Sequence, residues 1–269
     1  MPNEKYIVDV GDEGSIGLDK LDYCFNPTTQ EFLICSGLKS GMIVLDIGCG
    51  SGAMTCWIAK QVGNNGSVIA IENNKNQLNA AMLRAKKMGL NNIEFKLLSA
   101  YDIETLNQRF DMVYCRFVLH HLNSPSQVIK KIIRVLKPNG IYAAEEGIVN
   151  FAFSYPHNPA WGTEYTGPYP WIDNEEQNMR DGNLGMKLYN KMYKASFKII
   201  SAKIIHPLLI TRDEKNLLLL GREELKQYEL EQGKTEIEWV NQGIELEKIV
   251  NDDAQIAGFY ASCQVAGQI

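Results

Sequence analysis

Residues 44–52 read VLDIGCGSG, an acid and three glycines within nine positions. Glycines accept left-handed dihedrals and let a ligand approach the backbone, so a turn this rich in them between an apolar run and an amphipathic stretch is a ligand turn before it is anything else. Gly48-Cys49-Gly50-Ser51-Gly52-Ala53 fits the G-x-G-x-x-G/A pattern that seats a pyrophosphate. The letters alone do not separate a dinucleotide from a nucleoside ligand. Further polar residues sit at or just after the ends of other apolar runs: Glu72, Ser99, Arg116 and Glu146.

These residues meet only if the runs are strands of one sheet. MIVLDI (42–47), SVIAIE (67–72), IEFKLL (93–98), FDMVYC (110–115) and IYAAEE (141–146) read as five strands. Between them Ala53, Met54, Trp57, Ile58 and Val62, then Leu78, Ala81, Met82, Ala85 and Met88, recur at helical spacing, with Gly89 placed as a C-terminal cap. Ser124-Pro125-Ser126-Gln127 predicts a third helix opened by a capping box and running to about Lys137. Strands alternating with helices give a doubly wound parallel sheet, and ligands of such sheets bind at the carboxyl ends of the strands. The polar residues above therefore share one rim.

After Gly147 the texture changes. Residues 151–171 hold seven aromatics, Trp161 and Trp171 among them, interleaved with prolines, whereas aromatics are 9% of the whole chain. A helix near 183–193, a strand near 198–205, Glu-rich helices over 213–231 and 235–250, and a last strand over 259–265 follow. The expected division is an N-terminal arm (1–40), a binding core (41–149), an aromatic insertion serving as lid (150–182), and a completion of the core (183–269) with helices 213–250 inserted.

With 269 residues, 45% hydrophobic and 22% charged, the chain has the composition of a globular protein with a sizeable core. A net charge of −5 and no basic run longer than two residues weigh against a nucleic-acid partner. No apolar run reaches membrane-spanning length, so no membrane partner is expected. The start MPNEKYIVDV lacks a basic-then-apolar leader, and the expected compartment is the cytoplasm. Six cysteines without a C-x-x-C pair and four histidines without ligand spacing predict reduced thiols and no metal site. The oligomeric state is left open.

Asp46 decides between ligands. A fixed carboxylate beside a pyrophosphate is repulsive, whereas beside a cation it is attractive. S-adenosylmethionine (SAM) carries a sulfonium and an ammonium and no phosphate, so Asp46 suits its methionine end, directly or through water. VLDIGCGSG resembles motif I of the class I SAM-dependent methyltransferases. Glu72, LLSAYDI (97–103), FDMVYCRFVLHHL (110–122) and VLKPNG (135–140) resemble the later motifs of that family in order and spacing. NPTT (26–29) and GNLGMKLYNKMYKASF (182–197) resemble segments of the ubiquinone/menaquinone-type small-molecule grouping. The departures are Ser99 where the family often has Asp, Asn139 for Gly and Ser196 for Gly.

The resemblance implies a Rossmann-like seven-stranded sheet, mostly parallel with an antiparallel last strand, under a helical and aromatic cover. It implies SAM as cofactor, S-adenosylhomocysteine (SAH) as product and a small, partly apolar metabolite as acceptor. Its cofactor residues carry over to Asp46, Gly48, Gly50, Glu72, Asn73, Ser99, Ala100, Cys115 and Arg116. Glu72 would take the ribose hydroxyls. The acceptor pocket is expected from His121, Glu146, Tyr23, Trp161 and Trp171, and no catalytic residue is assigned; His121, His157 and Glu146 are the candidates should a base be required. Competing readings are an NAD(P)-dependent oxidoreductase and a non-catalytic SAM-binding module.

Overall fold

A computed structural model of the chain describes residues 12–162, 181–231 and 233–269. Trp171, with the rest of 163–180, lies outside the described residues. The first five strands are β1 (Ile43–Ile47), β2 (Ser67–Glu72), β3 (Ile93–Leu97), β4 (Phe110–Arg116) and β5 (Leu136–Ile148). Beyond them come β6 (Phe153–Tyr155), β7 (Lys198–Ile205), β8 (Leu208–Leu209), β9 (Ile256–Gly258) and β10 (Ala261–Gln268). The helices are α1 (Asp12–Cys35), α2 (Ala53–Val62), α3 (Lys75–Lys87), α4 (Pro125–Val135), α5 (Leu184–Lys194), α6 (Arg212–Glu231) and α7 (Glu236–Asn251).

Seven strands form the main sheet in the order β3-β2-β1-β4-β5-β10-β7. The first five pair in parallel, and β10 runs antiparallel to both β5 and β7. This is the Rossmann-like sheet expected. The chain winds outward from β1 through β2 to β3, then returns to the other side of β1 with β4. The strand order therefore reverses between β1 and β4, and such reversals open a crevice at the strand ends.

Register explains why the sheet is apolar on both faces. Val44 lies level with Val68 and Met112, and Leu45 with Ile69 and Val113. Alternation sends the first set to one face and the second to the other. Val44, Val68 and Met112 pack with Met54, Ile58 and Val62 of α2 and with Phe32 and Leu33 of α1. Leu45, Ile69 and Val113 pack with Val128 and Ile132 of α4 and with Leu188 and Met192 of α5. Strands buried on both faces read as continuous apolar runs.

The helix signals hold with one exception. Asn74 caps α3 by accepting from the backbone of Asn76 and Gln77, and Gly89 follows its last turn at φ +66°. Ser124 precedes Pro125 at the start of α4, but its side chain caps nothing, and the helix ends at Val135. The backbone N–H of Ser124 instead donates to the Tyr101 hydroxyl at 2.9 Å, a tertiary bond that fixes the turn without the capping box.

The arm and the later helices are one cover rather than separate pieces. Phe25 of α1, Leu217 and Leu218 of α6, Leu246 and Ile249 of α7, Trp161 and Phe259 form a third core. Beside it, β6, β9 and β8 make a small antiparallel sheet. α1 is tied to the main sheet by polar bonds as well. The buried Thr29 hydroxyl lies 2.6 Å from Glu145 Oε2 and 2.9 Å from the Phe25 carbonyl, and Arg116 at the end of β4 donates to Asn26, Thr29 and Asp22. Thr29→Val keeps the shape and removes a donor to a buried carboxylate, so equilibrium urea unfolding should show a loss of about 1–3 kcal/mol. Thr28→Val, whose hydroxyl meets only the Phe25 carbonyl among the bonds described, should cost less than about 1 kcal/mol.

Candidate functional site

At the carboxyl ends of β1 and β4 lies a cavity of about 270 Å³. A narrow slot of about 30 Å³ adjoins it, and Gly48, Glu72, Val118 and His121 stand on the walls of both. The glycine turn forms the floor. Gly48 sits at φ +71°, where a Cβ would lie 2.4 Å from Cγ2 of Val118. Gly50 sits at φ +53°, and a Cβ there would meet only Gln77 Oε1, at 3.7 Å. The first glycine is required by packing. The second leaves its open side to the cavity.

Two buried carboxylates flank this floor. Asp46 is 2% exposed and accepts from the Thr55 hydroxyl at 2.6 Å. Burial pushes its pKa from the ordinary aspartate range up to about 6, against the opposing pull of the Thr55 bond and the Arg116 charge. Glu72, also 2% exposed, accepts three backbone N–H groups: Gly50 at 3.0 Å, Asn73 at 2.8 Å and Asn74 at 3.0 Å. Burial raises its pKa while those bonds lower it. One acid therefore holds the glycine turn against the start of α3. Gln77, one turn into α3, reaches the cavity wall and had no sequence signal beyond its helical phase.

The remaining expected residues divide. Asn73, Ser99 and Ala100 line the slot, with Ile47, Ile71 and Leu98 as its apolar sides. Ser99 caps a 3-10 turn by accepting from Tyr101. Arg116 is on the cavity wall, but its guanidinium is engaged by α1, so its first role is to hold the cover. Cys115 is on neither wall: it is fully buried, with its thiol 3.1 Å from the Tyr142 hydroxyl, because β4 turns it toward the α4–α5 core.

The acceptor-side expectations need more correction. His121 lines both spaces. Glu146 does not line the cavity. It is fully buried and accepts from the backbone of Val118, Leu119 and His120 and bonds His120 Nδ1, which shapes the loop after β4. His157 is exposed and away from the cavity. Tyr23 is 73% exposed and faces a shallow outer groove; its neighbours Leu21, Asp22 and Phe25 are the α1 residues on the cavity wall. α1 lines the cavity with the helical face opposite Tyr23.

Trp161 is likewise a core residue. It is 3% exposed, donates to the Gly258 carbonyl at 2.8 Å and stacks on Phe259 with ring centroids 5.9 Å apart. Phe259 and Tyr260, the rings beside it, line the cavity, as do Leu217, Leu220 and Gly221 of α6. The i, i+3, i+4 spacing of that α6 trio was a readable signal. Its facing partner was not, because nothing local says which helix closes over the crevice. Among the described residues, no group of three or more His, Cys, Asp or Glu could hold a metal ion, and no helix is long and apolar enough to cross a membrane.

Two measurements follow from this geometry. Asp46 ionises less readily in the fold than in the unfolded chain, so its contribution falls as pH rises from about 4 to about 6 and is flat above. Against Asp46→Asn, wild-type stability should decline by about 3 kcal/mol across that window in pH-resolved unfolding. A parallel pH dependence in the two proteins would show that Asp46 is not desolvated as described. Trp161→Ala should lower stability by about 3–5 kcal/mol by opening the cover core, with the melting temperature as readout.

The profile of a methyltransferase-domain family matches residues 38–202. Demethylmenaquinone methyltransferase of Lactobacillus johnsonii is 37% identical over 123 residues, which are 45% of this chain and 48% of that protein. Sterol 24-C-methyltransferase of Pneumocystis carinii is 32% identical over 115 residues, 42% of this chain and 30% of that protein. The chain thus spans half or less of the length of these curated relatives. Among solved structures, coclaurine N-methyltransferase bound to N-methylheliamine and SAH superposes with a TM-score of 0.57 at 16% identity, over 90% of this chain and 72% of that one. The (4+2)-cyclase SpnF superposes with a TM-score of 0.58 at 19% identity, over 90% and 80%. Both share the fold.

Proposed function

The chain belongs to the methyltransferase-domain family, and we propose that it transfers a methyl group from SAM to a small, partly apolar acceptor. The observation that carries this reading is the division of the cavity at the strand ends. Its floor is polar, with the glycine turn, Asp46 and Glu72, and its roof is apolar, with Phe25, Leu217, Leu220 and Phe259.

The donor set suits SAM and not a dinucleotide. Asp46 beside the turn would repel a pyrophosphate and attracts the methionine ammonium, whereas an acid at the position of Glu72 serves a ribose in either kind of fold. Glu72 keeps acceptor capacity on Oε2, which takes one backbone N–H, so a ribose hydroxyl can join it there. The slot between Ile71, Leu98 and Val118, edged by Ser99 and Ala100, offers apolar sides and a hydroxyl to the edge of an adenine ring entering from the cavity. SAM supplies an already activated methyl group. The chain's work is then alignment of the acceptor and exclusion of water, for which the α1–α6 roof is placed. The names of the curated relatives favour an acceptor with a large apolar body.

Calorimetry with SAM and SAH tests the cofactor half. Gly50→Val puts a branched side chain into the floor at a positive φ and should abolish measurable SAM binding while the chain stays folded by circular dichroism. Glu72→Ala should weaken SAM by at least about tenfold, the loss of a charge-assisted hydrogen bond of roughly 1.5–3 kcal/mol. NADH binding in place of SAM would overturn the reading. Because a cyclase shares this fold, transfer of labelled methyl to a panel of hydroxyarenes and amines separates turnover from binding alone.

A further inference from the structure

α6 reads RDEKNLLLLGREELKQYELE, with a glycine at its centre. Glycine is the weakest ordinary residue in a helix interior, because it gives up the most backbone freedom on folding. A helix keeps one where packing demands it, or where the missing side chain leaves useful room. Two nearby helix glycines answer to packing. A Cβ at Gly185 of α5 would lie 2.4 Å from the Glu146 carbonyl oxygen, and one at Gly243 of α7 would lie 3.0 Å from Cζ of Arg222. Gly221 is different. Its φ is not positive, so its backbone suits any residue that forms helix. Beyond its own helical backbone, a Cβ there would meet no atom within 4 Å.

Helical phase says where that empty position points. Leu217 lies one turn before Gly221 and Leu218 three residues before it, and both are buried, whereas Glu223 and Gln227 on the far side are exposed. Gly221 therefore belongs to the inward stripe. It stands on the wall of the strand-end cavity with Leu217, Phe259 and Tyr260. The same four residues bound a second space of about 20 Å³ beside α7, whose other sides include Trp161, Leu218 and Leu246. That is room for about one water-sized or methyl-sized group. The polar side chains around it serve other partners: Glu229 and Gln242 both accept from Lys234, and Arg222 donates to Glu223 and lies on the Trp239 ring. The space is left to apolar groups. The partition between it and the cavity is thinnest at Gly221, the one of the four without a side chain.

We propose that Gly221 determines acceptor specificity by setting how far the acceptor's apolar part can run, and that this part is a hydrocarbon chain or ring edge passing under α6 toward the space beside Trp161. The assignment rests on the methyl-transfer reading above for the nature of the ligand. The reacting atom stays near the floor, and the hydrocarbon lies across the gap at Gly221, between Leu217 and Phe259. A Cβ there shortens that run, and a branched side chain closes it. The cost of glycine to the helix is offset by apolar burial only when such an acceptor is bound.

The test uses the full chain loaded with SAH and titrated by calorimetry with para-alkylphenols from ethyl to hexyl. In the wild type each added CH2 should tighten binding, by up to about fourfold at full burial, until the room is filled. In Gly221→Leu the gain should stop at the short members, so the hexyl probe should lose about tenfold or more, the worth of roughly two buried CH2 groups. The ethyl probe and SAH should keep their affinities. Gly221→Ala should fall between, and it should raise the melting temperature of the unliganded chain by about 2–4 °C, because alanine is the better helix former and meets no obstacle. A lower melting temperature in Gly221→Ala would show that packing holds the glycine and would overturn the proposal. So would a hexyl probe that binds both variants as well as the wild type, a loss equal for ethyl and hexyl, or a series that does not bind or ignores chain length. If the Leu variant melts early, Gly221→Ala carries the length series. Absence of SAH binding in the wild type would instead defeat the methyl-transfer reading, and the series titrated on the unloaded chain would still judge Gly221.

Discussion

Four carboxylates are buried at the ends of strands, and the whole rim is arranged around their need for partners. Asp46 ends near Thr55, Glu72 under three backbone N–H groups, Glu145 between Thr29 and Ser262, and Glu146 under the loop after β4. Each is at most 2% exposed. A carboxylate taken out of water without such bonds would cost several kcal/mol, so each one dictates the conformation of the segment that satisfies it. Glu72 sets the glycine turn against α3. Glu145, with Arg116, sets the angle at which α1 docks. Glu146 sets the path from Val118 to His120.

This separates the site into a fixed floor and an attached roof. The floor is main chain held by acids, with positive-φ glycines, of which Gly48 has no room for a side chain and Gly50 opens to the cavity. The roof is an apolar core of its own, made from α1, α6, α7 and the segment around Phe259, and it meets the sheet through the Arg116–Asp22 and Thr29–Glu145 contacts. Chemistry that must be preorganised belongs on the floor, where small displacements are resisted. The roof instead presents broad, apolar surfaces to the cavity.

The aromatic stretch after β5 shows how composition misleads about role. Trp161 is conspicuous in the sequence, yet its indole stacks on Phe259 and bonds the Gly258 carbonyl, and it supports the cavity wall from behind. Beside Phe25 and Phe117, rings on the cavity wall come from residues 259 and 260, in a segment that reads only as a strand. An aromatic cluster signals a core, and whether that core has a cavity on its far side depends on what packs against it.

The sequence by itself determined the sheet, its helices and the rim. Alternating apolar runs and helical stripes are local patterns, and strand ends at known spacings put Gly48, Glu72, Ser99 and Arg116 on one edge whatever the details. It also determined that Asp46 is ill-suited to a phosphate ligand. Only the tertiary structure decided which polar side chains look into the cavity and which are consumed by it. Glu146 and His120 are 26 residues apart and meet because β4 and β5 are neighbours in the sheet. Tyr23 and Phe25 differ by two positions on one helix, and the docking angle of α1, set by Arg116 and Glu145 far along the chain, turns one to solvent and the other to the roof. Periodicity is written residue by residue. The partner of a buried charge is chosen by the fold, because a charge removed from water takes whatever donor the packing brings within reach.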